Sequence, residues 1–179
     1  QFGNIATRAF VGSGDNVLQV QGEALVRNNL LVAGDGAGFA STDHQGTSRD
    51  LVFVHNTIIS RRRGANLSSW NDRVGMVFAN NIVVTEGGEA LRFPAGSKGV
   101  TLAGNVVVGR VSGATAGFVV GKGLEDLEDV SWNGEKRLAV PRPGSAALGA
   151  GDPSYRVDVD ITGKQRGARV VSGAYGLKL

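Results

Sequence analysis

The side chains able to do chemistry sit in short polar stretches between apolar runs. One is Asp43-His44-Gln45-Gly46 with Arg49, a second Trp70-Asn71-Asp72-Arg73, a third Arg61-Arg62-Arg63, and a fourth Glu86-Gly87-Gly88-Glu89, with Arg92 and Lys98 just beyond. An imidazole is a general base near neutral pH. A guanidinium holds a carboxylate or a developing anion with a rigid fork of donors. The chain has no cysteine, which excludes disulfide scaffolds, thiolate metal sites, iron–sulfur clusters and cysteine nucleophiles.

These residues must be positioned by a scaffold, and composition indicates its kind. Glycine supplies 28 of 179 residues, about 16%, more than twice the ordinary roughly 7%. Valine supplies a further 24, and β-branched residues suit pleated surfaces. With 41% hydrophobic residues the chain is not of the disordered class. A net charge of +3 with few aromatics and no basic stripe gives no footprint for nucleic acid. No apolar run approaches the roughly 20 residues of a membrane span. The chain opens Gln1-Phe2-Gly3-Asn4 with no initiator methionine and no signal peptide, so either a mature segment or a piece of something longer is expected, with earlier coils preceding Gln1.

An internal repeat organises the rest. Ala24–Val32, Leu51–Ile59, Gly75–Val84 and Val100–Val108 each hold a short β run, an asparagine and a second β run. Asn4, Asn29, Asn56, Asn81, Asn105 and Asn133 are spaced 25, 27, 25, 24 and 28 residues apart. Asparagine tolerates left-handed backbone angles, and stacked amides can bond one to the next. A third run lies between each pair: Val17–Gln21, Gly38–Ser41, Asn66–Trp70, Ala90–Phe93 and Gly117–Val120. Three short strands per coil predict an all-β parallel β-helix of five to six coils with three sheets. Glycines such as Gly22, Gly64, Gly96 and Gly121 fall at the bends, where positive φ is often needed.

On these residues the chain resembles the right-handed parallel β-helix superfamily, which includes pectate-lyase-like polysaccharide-active proteins. The resemblance places the ladder of Asn29, Asn56, Asn81 and Asn105 at the bend between the second and third sheets. It implies a substrate groove on the outer face of the first sheet, with outward column Gln19, Ala40, Ser68, Arg92 and Val119. The end of the chain, Pro143–Pro153, then Asp158–Gly167, then Ser172–Tyr175, resembles a tail of secreted bacterial β-helix proteins. Coils over 1–140 and a tail over 141–179 that caps the last coil are expected.

The resemblance implies an acidic polysaccharide as partner and a secreted or cell-surface location. In a β-eliminating lyase, Arg92 or Arg73 would neutralise the uronate carboxylate and His44 would take the C5 proton. Trp70 would offer a stacking face, with Asp72, Arg62 and Gln19 as further contacts. Asp-pair and Arg-x-Lys signatures of polygalacturonases and the Asp-Pro-His-Glu of epimerases are missing. So are the calcium-binding aspartates of pectate lyases. Asp158-x-Asp160-x-Thr162-Gly163 matches the start of a calcium loop, but Arg169 stands where a bidentate glutamate belongs, so a turn is expected there. No cofactor is expected and no metal site is assigned, with calcium left open but unsupported by any motif. Asn66-Leu67-Ser68 is a glycosylation sequon in form only. His55, Trp132 and Phe118 read as structural. The alternative is an inert structural or adhesive module whose polar bends are merely solvated.

Overall fold

The computed structural model describes residues 4–8 (as backbone), 16–44 and 46–177. It is a parallel β-solenoid of about four turns, rather than five to six. The second sheet stacks Ala24–Arg27, Leu51–Val54, Val77–Ala79 and Thr101–Ala103. The third stacks Asn4–Arg8, Asn29–Ala33, Thr57–Ser60 and the opening residues of Ile82–Arg92 and Asn105–Ser112. The first stacks Leu18–Gln19, Ala37–Ser41, Arg63–Leu67 and the closing residues of the same two long strands. Because Ile82–Arg92 and Asn105–Ser112 run through the bend unbroken, the first and third sheets join into one of nine strands.

Period-2 alternation sets what faces inward. Leu18, Phe39, Ala65, Leu91 and Val111 are in register in the first sheet. Val26, Phe53, Phe78 and Leu102 are in register in the second, and Leu31, Ile58, Val83 and Val107 in the third. These columns meet in one apolar core. Within it Phe39 stacks on Phe53 at 4.2 Å and Phe53 on Phe78 at 5.1 Å. Each such buried ring contributes roughly 1.5–3 kcal/mol.

The asparagine ladder forms as the spacing predicts. Asn29 Nδ2 donates to Asn56 Oδ1 (2.8 Å), Asn56 Nδ2 to Asn81 Oδ1 (3.3 Å) and Asn81 Nδ2 to Asn105 Oδ1 (3.1 Å). Each Oδ1 also accepts the backbone N–H of the asparagine one coil earlier. Asn105 closes the ladder by donating to the Gly117 carbonyl at 3.0 Å. Asn4 is in register with Asn29 through its backbone, and its side chain lies outside the described residues. The left-handed residue at this bend is the one before each ladder asparagine: Asn28, His55, Asn80 and Gly104 (φ 54°, 52°, 55° and 63°). At Gly104 a Cβ would collide with Asn80 Oδ1.

Three expectations change. Phe118–Val120 belongs to the third sheet, with Phe118 opposite Asn105, because Arg110–Ser112 already supplies the first-sheet strand of that coil and the crossing Gly113–Gly117 is too short to lay down another second-sheet strand. Ala114 and Phe118 pack on the core there, so this shortened turn plugs the coil end. Parallel pairing ends at Val120, whereas the coils were expected to reach 140; Leu127–Val130 and Arg137–Pro141 pair antiparallel. Asn133 sits in the turn of that pair, bonded by Ser131 Oγ at 2.7 Å, and is no ladder member.

The tail also does something other than cap the end. With the antiparallel pair before it, it lies along the outer face of the third sheet, where Leu127, Ala139 and Val140 of that pair and Ala147, Val171, Ala174 and Tyr175 of the tail cover Leu30, Val32, Ile59, Ile82, Val84 and Val106. Strands buried on both faces read as unbroken apolar runs, which explains Leu30-Leu31-Val32 and Ile82-Val83-Val84. Among the described residues no helix is long and apolar enough to cross a membrane.

Candidate functional site: an arginine groove beside the first sheet

The two bends that flank the third sheet both carry polar side chains, and they differ in how far those groups are satisfied. At the ladder bend the tail takes up the left-handed column. Asn28 donates to Val159 O at 2.9 Å, and Asn80 donates to Asp152 O at 2.9 Å while accepting the Asp152 N–H at 2.7 Å. The buried Arg166 guanidinium reaches across: its Nη2 donates to Asn28 Oδ1 (3.0 Å), Gly173 O (2.9 Å) and Ala174 O (2.9 Å). Burial lowers its pKa to about 10; Asp160 opposes that shift and Arg156 adds to it. His55 is wholly enclosed beside Asn80, at 3.1 Å. Burial, with the nearby Arg166 charge, lowers its pKa to about 3, backbone groups of Gly173, Tyr155 and Val171 only partly opposing.

The loop Asp158–Gly167 is a turn, as its sequence predicts. Burial raises the Asp160 pKa, but the Thr162 hydroxyl and the Gly176, Thr162 and Lys164 amides outweigh it, and the carboxyl lies below its ordinary value. Its oxygens are taken by those donors, and Asp158 faces solvent beside Arg156. Among the described residues no three His, Asp or Glu side chains gather as a metal site would need.

The other polar bend, between the third and first sheets, is open. Ser60 starts it, its hydroxyl accepting the Arg62 and Arg63 N–H groups as a short local turn. The chain there builds an open groove of about 820 Å³ lined by Arg61, Arg62, Arg63, Arg92 and Arg110, with Glu86 and Glu89. Arg61 meets Glu86 at 4.0 Å and Arg62 meets Asp35 at 3.9 Å. Glu89 stands between Arg92 and Arg110, at 3.7 Å from each, and accepts the Ser112 hydroxyl at 2.5 Å. Glu89 is 15% exposed and Arg110 74%, so the acid is fixed and the cation faces water. Among the described residues Arg63 has no carboxylate within ion-pair distance. Exposed pairs of this kind are worth about 0–1 kcal/mol each, so an incoming anion exchanges for them at little cost.

The outward column of the first sheet is Gln19, Ala40, Asn66, Arg92 and Ser112. Asn66 replaces the expected Ser68 because Ala65 and Leu67 face the core on either side. Ser112 replaces Val119 because the strand Asn105–Ser112 runs on through the bend and reaches this column seven residues before Val119. Gln19 is exposed, held by Asn16 at 3.3 Å. Asn66 Oδ1 is buried without a hydrogen-bond partner.

The residues expected to act together fall on opposite margins of this sheet. Arg92 turns toward Glu89 at the arginine bend, as do Arg62 and its neighbours. His44, Asp72 and Arg73 lie at the far margin, in the loops that follow first-sheet strands. There Arg73 pairs with Asp43 at 3.4 Å and Asp72 with Lys98 at 3.1 Å. Trp70 offers no stacking face: it is buried edge-on against Phe78 at 6.3 Å, because the turn at Ser68 and Ser69 after strand Arg63–Leu67 brings its ring back to the core. Arg110 escaped the sequence reading. Its signal was position alone, one residue after Gly109 at the bend that holds Arg61–Arg63 two coils earlier. Compared with protein-family models, curated proteins and solved structures, the chain finds no match.

Proposed function

We propose that the chain is a secreted or cell-surface glycan-binding segment of a pectate-lyase-like β-helix protein, and that it binds an acidic polysaccharide rather than cleaving it. The observation that carries this is the groove: five guanidiniums on three successive bends against two glutamates, beside the outer face of the first sheet. Guanidiniums match carboxylate and sulfate oxygens in pairs. A polyanion lying along the solenoid axis would pass one of these bends about every 4.8 Å. Cleavage by β-elimination needs a base beside the cation, and His44 stands at the margin away from Arg92, with Arg73 held by Asp43. An inert structural module remains the second reading, supported by an outward column in which only Arg92 is charged.

The test is a titration with heparin and with polygalacturonate at low and high salt. Micromolar binding that weakens steeply with salt is expected. Arg63→Ala with Arg110→Ala should weaken it about tenfold while leaving the melting temperature in place. No binding of either polymer at low salt would overturn the proposal and favour the structural module.

A further inference from the structure

The charges at the arginine bend alternate in sign along the axis. In successive coils the bend carries Asp35, then Arg61, Arg62 and Arg63, then Glu86 and Glu89 with Arg92, then Arg110. The alternation is also one of register: Arg63 pairs with Glu89 in one ladder and Glu89 with Arg110 in the next, and all three line the same groove. Cationic rungs therefore recur every second coil, roughly 9–10 Å apart at the ordinary strand spacing. The acid between them is not free to swing away, because Arg92, Arg110 and the Ser112 hydroxyl hold it.

We infer that the groove selects a glycan bearing one anionic group per disaccharide over one charged on every sugar. This rests on the groove being the glycan site. Two coils are about the length of a disaccharide, so an alternating polymer sets its anions against Arg63 and Arg110 and its neutral sugar against Glu89. A homopolymer of uronates brings a carboxylate up to Glu89, and like charges at that separation repel. Glu89 is thus a specificity-determining residue that acts by exclusion, and Asp35 repeats the device one period earlier.

Oligosaccharides of equal length test this: hyaluronan fragments, with a carboxylate on alternate sugars, against oligogalacturonate, with one on each. The parent chain should bind the alternating fragment about three- to tenfold more tightly, the scale of one partly exposed charge contact. Glu89→Gln, which keeps an acceptor for Ser112, should erase the difference by strengthening oligogalacturonate binding. Equal affinities in the parent, or a Glu89→Gln change of the same factor for both ligands, would overturn the selectivity while leaving the groove as a glycan site. Absence of binding by either fragment would remove both. A melting curve of Glu89→Gln confirms that the variant is folded.

Discussion

The ladder bend and the arginine bend are two corners of the same coil, built from the same strand pairs and repeated at the same rise. At the first, polar groups turn inward or are covered by the tail, and nearly all find partners within the chain. At the second, charges stay in water and meet counter-charges at 3.7–4.0 Å. Enclosed hydrogen bonds are costly to break, because an orphaned group loses its solvent as well as its partner. Exposed ion pairs are cheap to exchange. Stability therefore concentrates at one corner and binding capacity at the other, and a residue's type says less than the corner it occupies. Asn81 and Asn66 are both asparagines at a sheet, yet one is a rung and the other faces out from the first sheet with an orphaned oxygen.

Acid should break the comparison most strongly at the ladder bend. His55 has a folded pKa of about 3 against 6.5, so it stays neutral in the fold while the unfolded chain takes up a proton. Stability is then full above pH 6.5 and falls as pH drops toward 3, by about 4–5 kcal/mol in all. Asp160, whose pKa is also lowered, adds loss in the same direction at the acid end. Urea midpoints measured from pH 7 to pH 4 should fall in the parent and stay flatter in His55→Asn. Asparagine is the substitute because Asn28 and Asn80 already occupy left-handed positions of that column. Equal slopes in the two proteins would show that His55 is not enclosed by the tail.

A smaller effect separates the two asparagines. Asn81→Ala removes the acceptor of Asn56 and the donor to Asn105 and Phe53 O, and should cost about 2–4 kcal/mol. Asn66→Ala should lie within about 0.5 kcal/mol, since no partner is left behind. Denaturant unfolding of both variants reads the difference directly, and comparable losses would mean that the groove side of the first sheet is as tightly bonded as the ladder.

Much of this fold is written in the repeat. The spacing of Asn29, Asn56, Asn81 and Asn105 and the three apolar runs per coil lead to the parallel stack, because a ladder demands constant register. The left-handed residue before each asparagine is harder to read, since Asn28, His55, Asn80 and Gly104 share no side-chain type, only a tolerance of positive φ. The covering tail was signalled by strands apolar on both faces, a pattern that periodicity alone assigns equally to an inner core. Trp70 misleads because its neighbours Asn71, Asp72 and Arg73 are polar and alternation from Ala65 and Leu67 would turn it outward, whereas the turn at Ser68 and Ser69 after the strand end resets the phase and brings its ring to the core. The groove is half legible: Arg61–Arg63 and Arg92 stand out as charges, but only the register between coils sets Arg110 and Glu89 beside them.

Amide hydrogen exchange with and without bound heparin tests the division of labour between the corners most directly. The account predicts added protection around residues 60–63, 86–92 and 109–112, while amides of Asn29, Asn56 and Asn81 are already protected in the free protein and do not change. Protection appearing instead around His44 and Arg73, or at no bend at all, would contradict the assignment of the arginine groove as the binding surface.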